Sequence, residues 1–293
     1  MRRYRLVPAI LATMLLLPVI GQGDKDSLVA WYHEHYPFAT MTDSIFTFES
    51  EFQVPVDFQP LDSSQLTPFQ NWIANIPLWH RWKPLGSWRN QKLAEADSIS
   101  RCIHLPYRGP RQKHFNIPLR IMAEWLYKHE RYFDLVWLPH KGDTLKYHNY
   151  LDGELRLARY GEPFFQEGES RDHDDHEYYD FMGTCMDYSS PLGLTRNCTR
   201  IEPHELLPGD LLIGHDDVGK QGHVWMVVRV AENPSGERAY IVGTGCDEAC
   251  DFYIPKLTAD RSRPWLTESE VAELVASWPH QGCYRLNLSL PIK

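Results

Sequence analysis

The clearest pattern of apolar and polar positions lies between Pro208 and Val230. A Pro-Gly-Asp turn leads into a short apolar run, a polar loop follows, and a longer apolar run begins just after His223. Turn residues that bound two such runs predict two neighbouring strands, with the imidazole of His223 at the mouth of the loop between them. This position suits a catalytic histidine, and it equally suits a buried histidine that is only hydrogen-bonded. Asp210 is expected to cap its own turn.

Two segments carry apolar residues at helical spacing. The first covers residues 63–76 and ends at a proline, which stops a helix. The second starts at Asn116, a suitable N-cap, and continues as an apolar stripe. Arg120, Glu124 and Lys128 lie four residues apart on the opposite face, which predicts a ladder of solvated charges.

Shorter patterns predict the remaining elements. Helices are expected at 28–35, at 178–188 and from a capping box that opens at Thr267; strands are expected at 45–56, 102–107, 238–242 and 283–290, with a hairpin formed by 133–138 and 144–151. Because strands and helices do not alternate strictly, we expect an α+β fold with a mainly antiparallel sheet, or a half-barrel, packed against helices.

The first 23 residues have the pattern of a signal peptide. A basic segment, Met1–Arg5, precedes an apolar segment, Leu6–Ile20, and small residues follow at Gly21 and Gly23. The apolar run, of about fifteen residues, is short for a membrane span, which needs about twenty. We therefore predict a secreted or periplasmic protein without a stable membrane anchor, and a single domain over residues 24–293.

Composition narrows the choice of partner. The net charge is −9 and the acidic and basic residues are interspersed, which argues against a nucleic-acid partner because such a partner favours a basic face. The chain has no phosphate-binding loop and no Gly-x-Ser-x-Gly turn, and we expect no cofactor. Peptides, glycans and small molecules remain open as partners.

Six cysteines in an exported chain fit up to three disulfides. Cys246 and Cys250 could close a small loop, with a zinc site as the rival interpretation of that pair. Cys185 could pair with Cys198, and it could then not act as a nucleophile. The acidic segment from His173 to Glu177 could bind a divalent ion, but the first turn of a helix explains the same residues more simply, and we predict no metal site.

Several ordered blocks resemble a known family. They are Phe69-x-x-Trp72-Ile73-x-x-Ile76-Pro77-Leu78, Leu119-Arg120-x-x-Ala123-Glu124-Trp125-Leu126-Tyr127, Gly183-Thr184, Pro208-Gly209-Asp210 with Gly222-His223, and Pro264-Trp265. They occur in the order seen in the bacterial family called domain of unknown function 4846, over roughly residues 45 to 278. The resemblance implies an exported bacterial protein of unsettled activity.

This chain departs from the family pattern at two places. The family typically shows Gln-Cys-Ala-Asp just before the Arg-x-x-Ala-Glu helix, where this chain has Lys113-His114-Phe115-Asn116. The family also favours a hydroxyl residue after Gly-Thr, where this chain has Cys185. A catalytic polar group at the start of that helix would therefore be absent here.

A looser resemblance points to chemistry. The order Pro-Gly-Asp-Leu…His-Val is similar to the latter half of NlpC-type cell-wall cysteine peptidases, which have a compact papain-like fold. It implies a nucleophile, Cys185, and a base, His223, with Asp247 or Thr244 as the group that orients the imidazole. The motif Asp-Cys-Ser-Gly, which marks the nucleophile in those enzymes, is absent, and Gly183-Thr184-Cys185-Met186-Asp187 stands in its place.

Three hypotheses about function follow. The protein is a papain-like hydrolase or amidase acting on cell-wall peptide, or a non-catalytic envelope module that binds glycan or peptide, or a structural partner domain. A binding module would use the aromatic residues between Trp79 and Trp88, or the helix that carries Arg120, Glu124 and Trp125. The position of Cys185 separates the first two hypotheses, because only the enzyme needs its thiol next to His223.

Overall fold

The computed structural model describes residues 22–38, 45–106, 109–156, 164–165 and 168–289. These residues belong to two compact units, Met1–Ser44 and Ile45–Lys293, and the second unit carries the sheet, the paired imidazoles and helices α2 to α8. The predicted signal peptide lies outside the described residues except at its last two positions. None of the helices within the described ranges is long and apolar enough to cross a membrane.

The helices are distributed along the whole chain. They are α1 (Gln22–His35), α2 (Phe48–Glu51), α3 (Pro68–Ala74), α4 (Asn116–Lys128), α5 (Tyr147–Leu151), α6 (Asp175–Asp187), α7 (Pro191–Thr195) and α8 (Glu268–Glu273), with 3-10 turns at Ser63–Gln65, Ala96–Ser98, Tyr132–Asp134 and Pro203–Glu205. Capping boxes fix several helix starts. At α8, as predicted, Thr267 and Glu270 each satisfy a backbone N–H group of the other.

Most strands are short, and the longest ones lie in the C-terminal half of the chain. They are β1 (Gln59–Pro60), β2 (Leu85–Gly86), β3 (Lys92–Ala94), β4 (Ile99–Cys102), β5 (Val136–Trp137), β6 (Leu145–Lys146), β7 (Leu155–Arg156), β8 (Phe164–Phe165), β9 (Cys198–Ile201), β10 (Leu211–His215), β11 (Gly222–Glu232), β12 (Arg238–Gly243), β13 (Tyr253–Pro255), β14 (Leu266–Thr267) and β15 (His280–Leu286).

One antiparallel sheet organises the larger unit. Its strand order is β14-β12-β11-β10-β15-β9, and β1 pairs with the far end of β11. The hairpin of β10 and β11 sets Gly214 opposite His223, so the predicted pair of strands is confirmed. The buried side chains Leu212, Val227 and Val242 of this sheet pack with Val271 of α8 in one apolar cluster. The predicted α+β class with a mainly antiparallel sheet is therefore correct.

The Pro-Gly-Asp turn enters β10 in the way that the sequence predicts. Gly209 has φ +91°, and an added Cβ would lie 3.0 Å from the ring of Phe69, so both the turn and the close packing favour glycine. The carboxylate of Asp210 accepts a hydrogen bond from the backbone N–H of Leu207 at 2.8 Å. It also pairs with Arg285 at 2.6 Å while almost fully buried.

Several predicted elements differ from the observed ones. The segment 45–56 is not a strand, because α2 begins at Phe48 behind a capping box at Thr47. The strand predicted at 102–107 lies earlier, as β4, and the final strand begins at His280 rather than at Cys283. In the predicted hairpin only two residues on each side pair, and Tyr147–Leu151 is helical. Short apolar runs do not separate strand from helix by spacing alone.

Candidate functional site

His223 is held by a hydroxyl at the end of a neighbouring strand. Its Nε2 lies 2.8 Å from Oγ1 of Thr244, the residue that follows β12. That hydroxyl donates its own proton to the carbonyl of Val224 at 2.8 Å. A hydroxyl has one proton, so Thr244 accepts from Nε2–H, and the lone pair of His223 is on Nδ1. This is the arrangement of an oriented general base.

A second imidazole lies against the first. His114, just before α4, stacks on His223 with ring centroids 4.5 Å apart and an interplanar angle of 16°. The Nδ1 atom of His114 accepts a hydrogen bond from the backbone N–H of Val224 at 3.2 Å, and its Nε2 lies 3.2 Å from the carboxylate of Asp247. Both ring nitrogens of His114 are therefore in use, with the proton on Nε2.

The loop after Thr244 packs closely on the start of α4 and fixes this pair of rings. The backbone N–H of His114 donates to the carbonyl of Cys246 at 3.1 Å. A Cβ at Gly245 would lie 2.7 Å from the side chain of Ile117 and 3.1 Å from the backbone of His114, so a larger residue would force the loop away from the helix. The two rings are thus positioned by backbone contacts on both sides.

Both histidines are neutral near pH 7. Burial, and next the neighbouring His223, lower the pKa of His114 to about 4. Burial also lowers the pKa of His223, against the opposing effect of Asp247. Desolvation has this sign because it disfavours the charged form of an imidazole. The carboxylate of Asp247 is 95 % exposed, and water weakens its influence on both rings.

Among the described residues, Cys185 makes no hydrogen bond to His223 and is surrounded by apolar side chains. Cys185 lies in the last turns of α6, not at a helix N-terminus, and faces apolar side chains that include Leu119, Met122 and Ala123 of α4. Ile117, which points towards Gly245 near His114, is on a different face of the same helix. Burial raises the pKa of the Cys185 thiol well above its usual value. None of these features is that of an activated nucleophile.

Of the two residues expected to orient His223, Thr244 contacts its ring, whereas Asp247 pairs with His114. Each of the six cysteines is a free thiol, so no bond joins Cys185 to Cys198. Cys246 and Cys250 are neighbours, since the backbone N–H of Cys246 lies 3.1 Å from Sγ of Cys250.

The helix α4 buries the residues that were expected to be solvated or to bind a ligand. Arg120 is 1 % exposed, and Glu124 and Trp125 are each 6 % exposed. Arg120 pairs with Glu124 at 3.2 Å and also donates to the side-chain oxygen of Gln112. The predicted charge ladder is therefore an internal ion pair. The three side chains are buried in the core.

The acidic segment starts a helix, as the simpler interpretation predicted. Asp174 is the N-cap of α6, and its carboxylate accepts a hydrogen bond from the backbone N–H of Glu177 at 2.9 Å. Within the described ranges, no group of three or more histidine, cysteine, aspartate or glutamate side chains is arranged to hold a metal ion.

A family model matches most of the chain. The model of the family described as domain of unknown function (4846) matches residues 48–281. The chain belongs to this family. Neither a curated protein nor a solved structure matches the chain. The match covers α2 through the first two residues of β15, and hence most of the sheet and the paired imidazoles.

His114 is the residue of the site that sequence reasoning overlooked. It appeared only as a departure from the block Gln-Cys-Ala-Asp that the family resemblance places before α4. In the fold, His114 stacks on His223. A cysteine at this position would lie near the start of α4 and beside the base His223. The one sequence signal for His114 was its place in that block. No local pattern links it to His223, because the two residues are 109 positions apart.

Proposed function

We propose that this member of the domain of unknown function 4846 family is an exported, non-catalytic module that binds glycan or peptide of the bacterial cell envelope. Its fold retains an oriented base, His223, but offers that base no nucleophile among the described residues. The family resemblance and the signal-peptide pattern supply the expected location, at the cell envelope.

The proposal rests on the residue that faces His223, which is His114 and not a cysteine. A cysteine there would receive the lowered pKa that a helix N-terminus and an adjacent imidazole provide. His114 cannot replace it, because one of its ring nitrogens accepts from Val224 and the other donates to Asp247. The thiol of Cys185 is buried on another face of α4, with its pKa raised.

The test compares binding with hydrolysis. The mature protein is incubated with purified cell-wall sacculi, and we expect it to sediment with them and to release no soluble peptide or sugar. The same assay is run with His223→Ala and Cys185→Ala, and we expect neither to change the result. Release of fragments by the parent protein that is lost in His223→Ala would overturn the non-catalytic proposal.

The hydrolase hypothesis has one observation in its favour. The Nδ1 lone pair of His223 and the fixed hydrogen bond to Thr244 are what a general base requires. In that case the base would have to activate water or a substrate group directly, and product release by the parent protein would reveal it. Loss of release in Thr244→Val as well as in His223→Ala would then support hydrolysis.

A further inference from the structure

A pocket elsewhere in the larger unit has three arginine side chains in its wall. Its volume is about 680 Å³, within the range of sites for small ligands, and His80, Arg81, Trp82, Arg101 and Arg261 lie in its wall. None of these residues belongs to the paired imidazoles. The pocket forms where the loop before β2, the strand β4 and the loop after β13 meet.

Arg101 is the buried cation of this pocket. It is 7 % exposed, it forms an ion pair with Glu51 of α2, and it donates to the carbonyl of Ser100 at 3.0 Å. Its Nε is buried without a hydrogen-bond partner. Burial, and next the charge of Arg261, lower the pKa of Arg101 to about 10. A second guanidinium is therefore close enough to repel the first, and Glu51 compensates for only one of them.

The two other guanidinium groups have no carboxylate partner among the described residues. Arg261 donates to the carbonyls of Arg81 and Ser100 at 3.1 and 3.2 Å, and its Nε is also buried and unpartnered. Arg81 lies over the ring of Trp82, with 4.6 Å from its central carbon to the ring centroid. These contacts position the charges without neutralising them.

Two acidic side chains close in sequence to the pocket residues have other partners. Asp260 accepts from the hydroxyl of Ser262 at 2.7 Å and pairs with Arg263. Glu49 pairs with Arg229. With three arginines and only Glu51 in the wall, the pocket carries an excess of positive charge in a protein whose net charge is −9. Such an excess favours an anionic ligand.

Trp82 gives the pocket an apolar platform. It is 68 % exposed, so its ring is accessible to a ligand. The guanidinium of Arg81 lies over the ring, and most of the side chain is accessible. An exposed indole beside cationic groups can stack on the apolar face of a sugar ring while the cations hold its acidic substituent.

We propose that this pocket binds an anionic glycan, with its carboxylate or phosphate group held by Arg101, Arg261 and Arg81 and a sugar ring stacked on Trp82. The inference rests on the proposed binding function and names its ligand class. It assigns binding to a surface that is separate from His114 and His223.

Calorimetric titration with defined trisaccharides tests this assignment. The probes are trigalacturonate, the matched neutral galactotriose, and galactotriose carrying one phosphate. We expect at least one of the two anionic probes to bind at least tenfold more tightly than the neutral probe. Its affinity should fall as the salt concentration increases. Equal affinity for the neutral probe, or failure of both anionic probes to bind, would overturn the proposal.

Exposed residues supply the variants, so that folding is not at risk. Trp82→Ala and Arg81→Ala should each weaken anionic binding by about five- to tenfold, as loss of stacking or of one charge contact predicts. The matched control is Arg89→Ala, because Arg89 is also exposed and lies over a tryptophan, Trp88, at 4.8 Å but outside the pocket. Equal affinity of all three variants would remove the pocket assignment.

Sedimentation with sacculi keeps the two proposals distinguishable. If the Arg81→Ala/Trp82→Ala double variant still sediments and no anionic trisaccharide binds, the pocket assignment fails and the binding function stands. If the trisaccharides bind through Arg81 and Trp82 but the parent protein does not sediment with sacculi, the pocket assignment stands and the envelope function fails.

Discussion

His114 and His223 stack face to face, with ring centroids 4.5 Å apart, and each ring is fixed by a different partner. Thr244 holds His223 through Nε2, and Asp247 lies at Nε2 of His114. The pair joins the start of α4 to the start of β11. It defines the geometry in which a reactive group at position 114 would meet a base.

Introducing a thiol at position 114 should create a reactive cysteine. In the His114→Cys variant the new thiol lies at the start of α4 beside His223, and both features favour the thiolate. We expect alkylation by iodoacetamide at pH 7 on the order of tenfold faster than for an ordinary exposed cysteine. Peptide mapping by mass spectrometry measures the rate at this residue.

The control for that variant removes the base. In the His114→Cys/His223→Ala double variant the rate should return to that of an ordinary thiol, while His114→Ser should show no new labelling. Equal rates in the single and the double variant would show that position 114 does not face a functional base.

Stability should decrease with acid because of His114. Its pKa is about 4 in the folded protein and about 6.5 when unfolded, so the unfolded state binds the proton first. The contribution of this residue is fully present above pH 6.5 and is lost as the pH falls towards 4. Its size is on the order of 3 kcal/mol, and urea unfolding at pH 7 and pH 4.5 measures it.

Carboxylates also titrate in this range, so the informative quantity is a difference between variants. His114→Gln should show a smaller loss of unfolding free energy between the two pH values than the parent protein does. His280→Gln is the control, because His280 is about half exposed and lies 3.1 Å from the exposed Asp217. An unchanged pH dependence in His114→Gln would refute the assignment.

Breaking the ion pair inside α4 should destabilise the protein strongly. Arg120→Met leaves Glu124 buried without its partner, and we expect a loss of about 3 to 5 kcal/mol. Replacing both residues, by Arg120→Met/Glu124→Leu, should cost less, because no uncompensated charge stays in the core. Chemical unfolding followed by tryptophan fluorescence gives the free energies.

An exposed ion pair provides the comparison for this experiment. Arg111 pairs with Asp187 at 2.8 Å, and both side chains are about half exposed. Arg111→Met should change stability by no more than about 1 kcal/mol. A loss in Arg120→Met no larger than this would show that the buried pair does not support the core.

The six thiols should differ in reactivity in the folded, reduced protein. A hydrogen bond from Cys250, and then one from Tyr253, lower the pKa of Cys246, which is only partly buried. Burial raises the pKa of Cys283 to about 11, and it raises the pKa of Cys185 well above its usual value. We therefore expect Cys246 to be alkylated first at pH 8.

Mass-spectrometric mapping over time, after reduction, gives the order of labelling. Cys250→Ser tests the cause, because loss of the Cys250 thiol should slow the labelling of Cys246. Labelling in urea is the reference, since unfolding should make all six rates similar. Native labelling of Cys185 before Cys246 would contradict the burial described for α6.

Local sequence patterns were sufficient for the elements whose signals are short in range. The capping box at Thr267 and the hairpin that places Gly214 opposite His223 depend on residues within a few positions of one another. The helix α4 was also predictable from its apolar spacing. Its N-cap was not, because Asn116 is the first helical residue and its amide donates to the carbonyl of Arg111.

The sequence by itself determined the fold class, the strand that carries His223 and the family to which the chain belongs. Only the tertiary structure decided that His114 stacks on His223 and that Cys185 faces an apolar environment. It also decided that Arg120 forms a buried ion pair with Glu124. Periodicity reports which residues share a face of one element. It does not report which other element covers that face, and burial by distant parts of the chain sets both the pKa and the accessibility of each group.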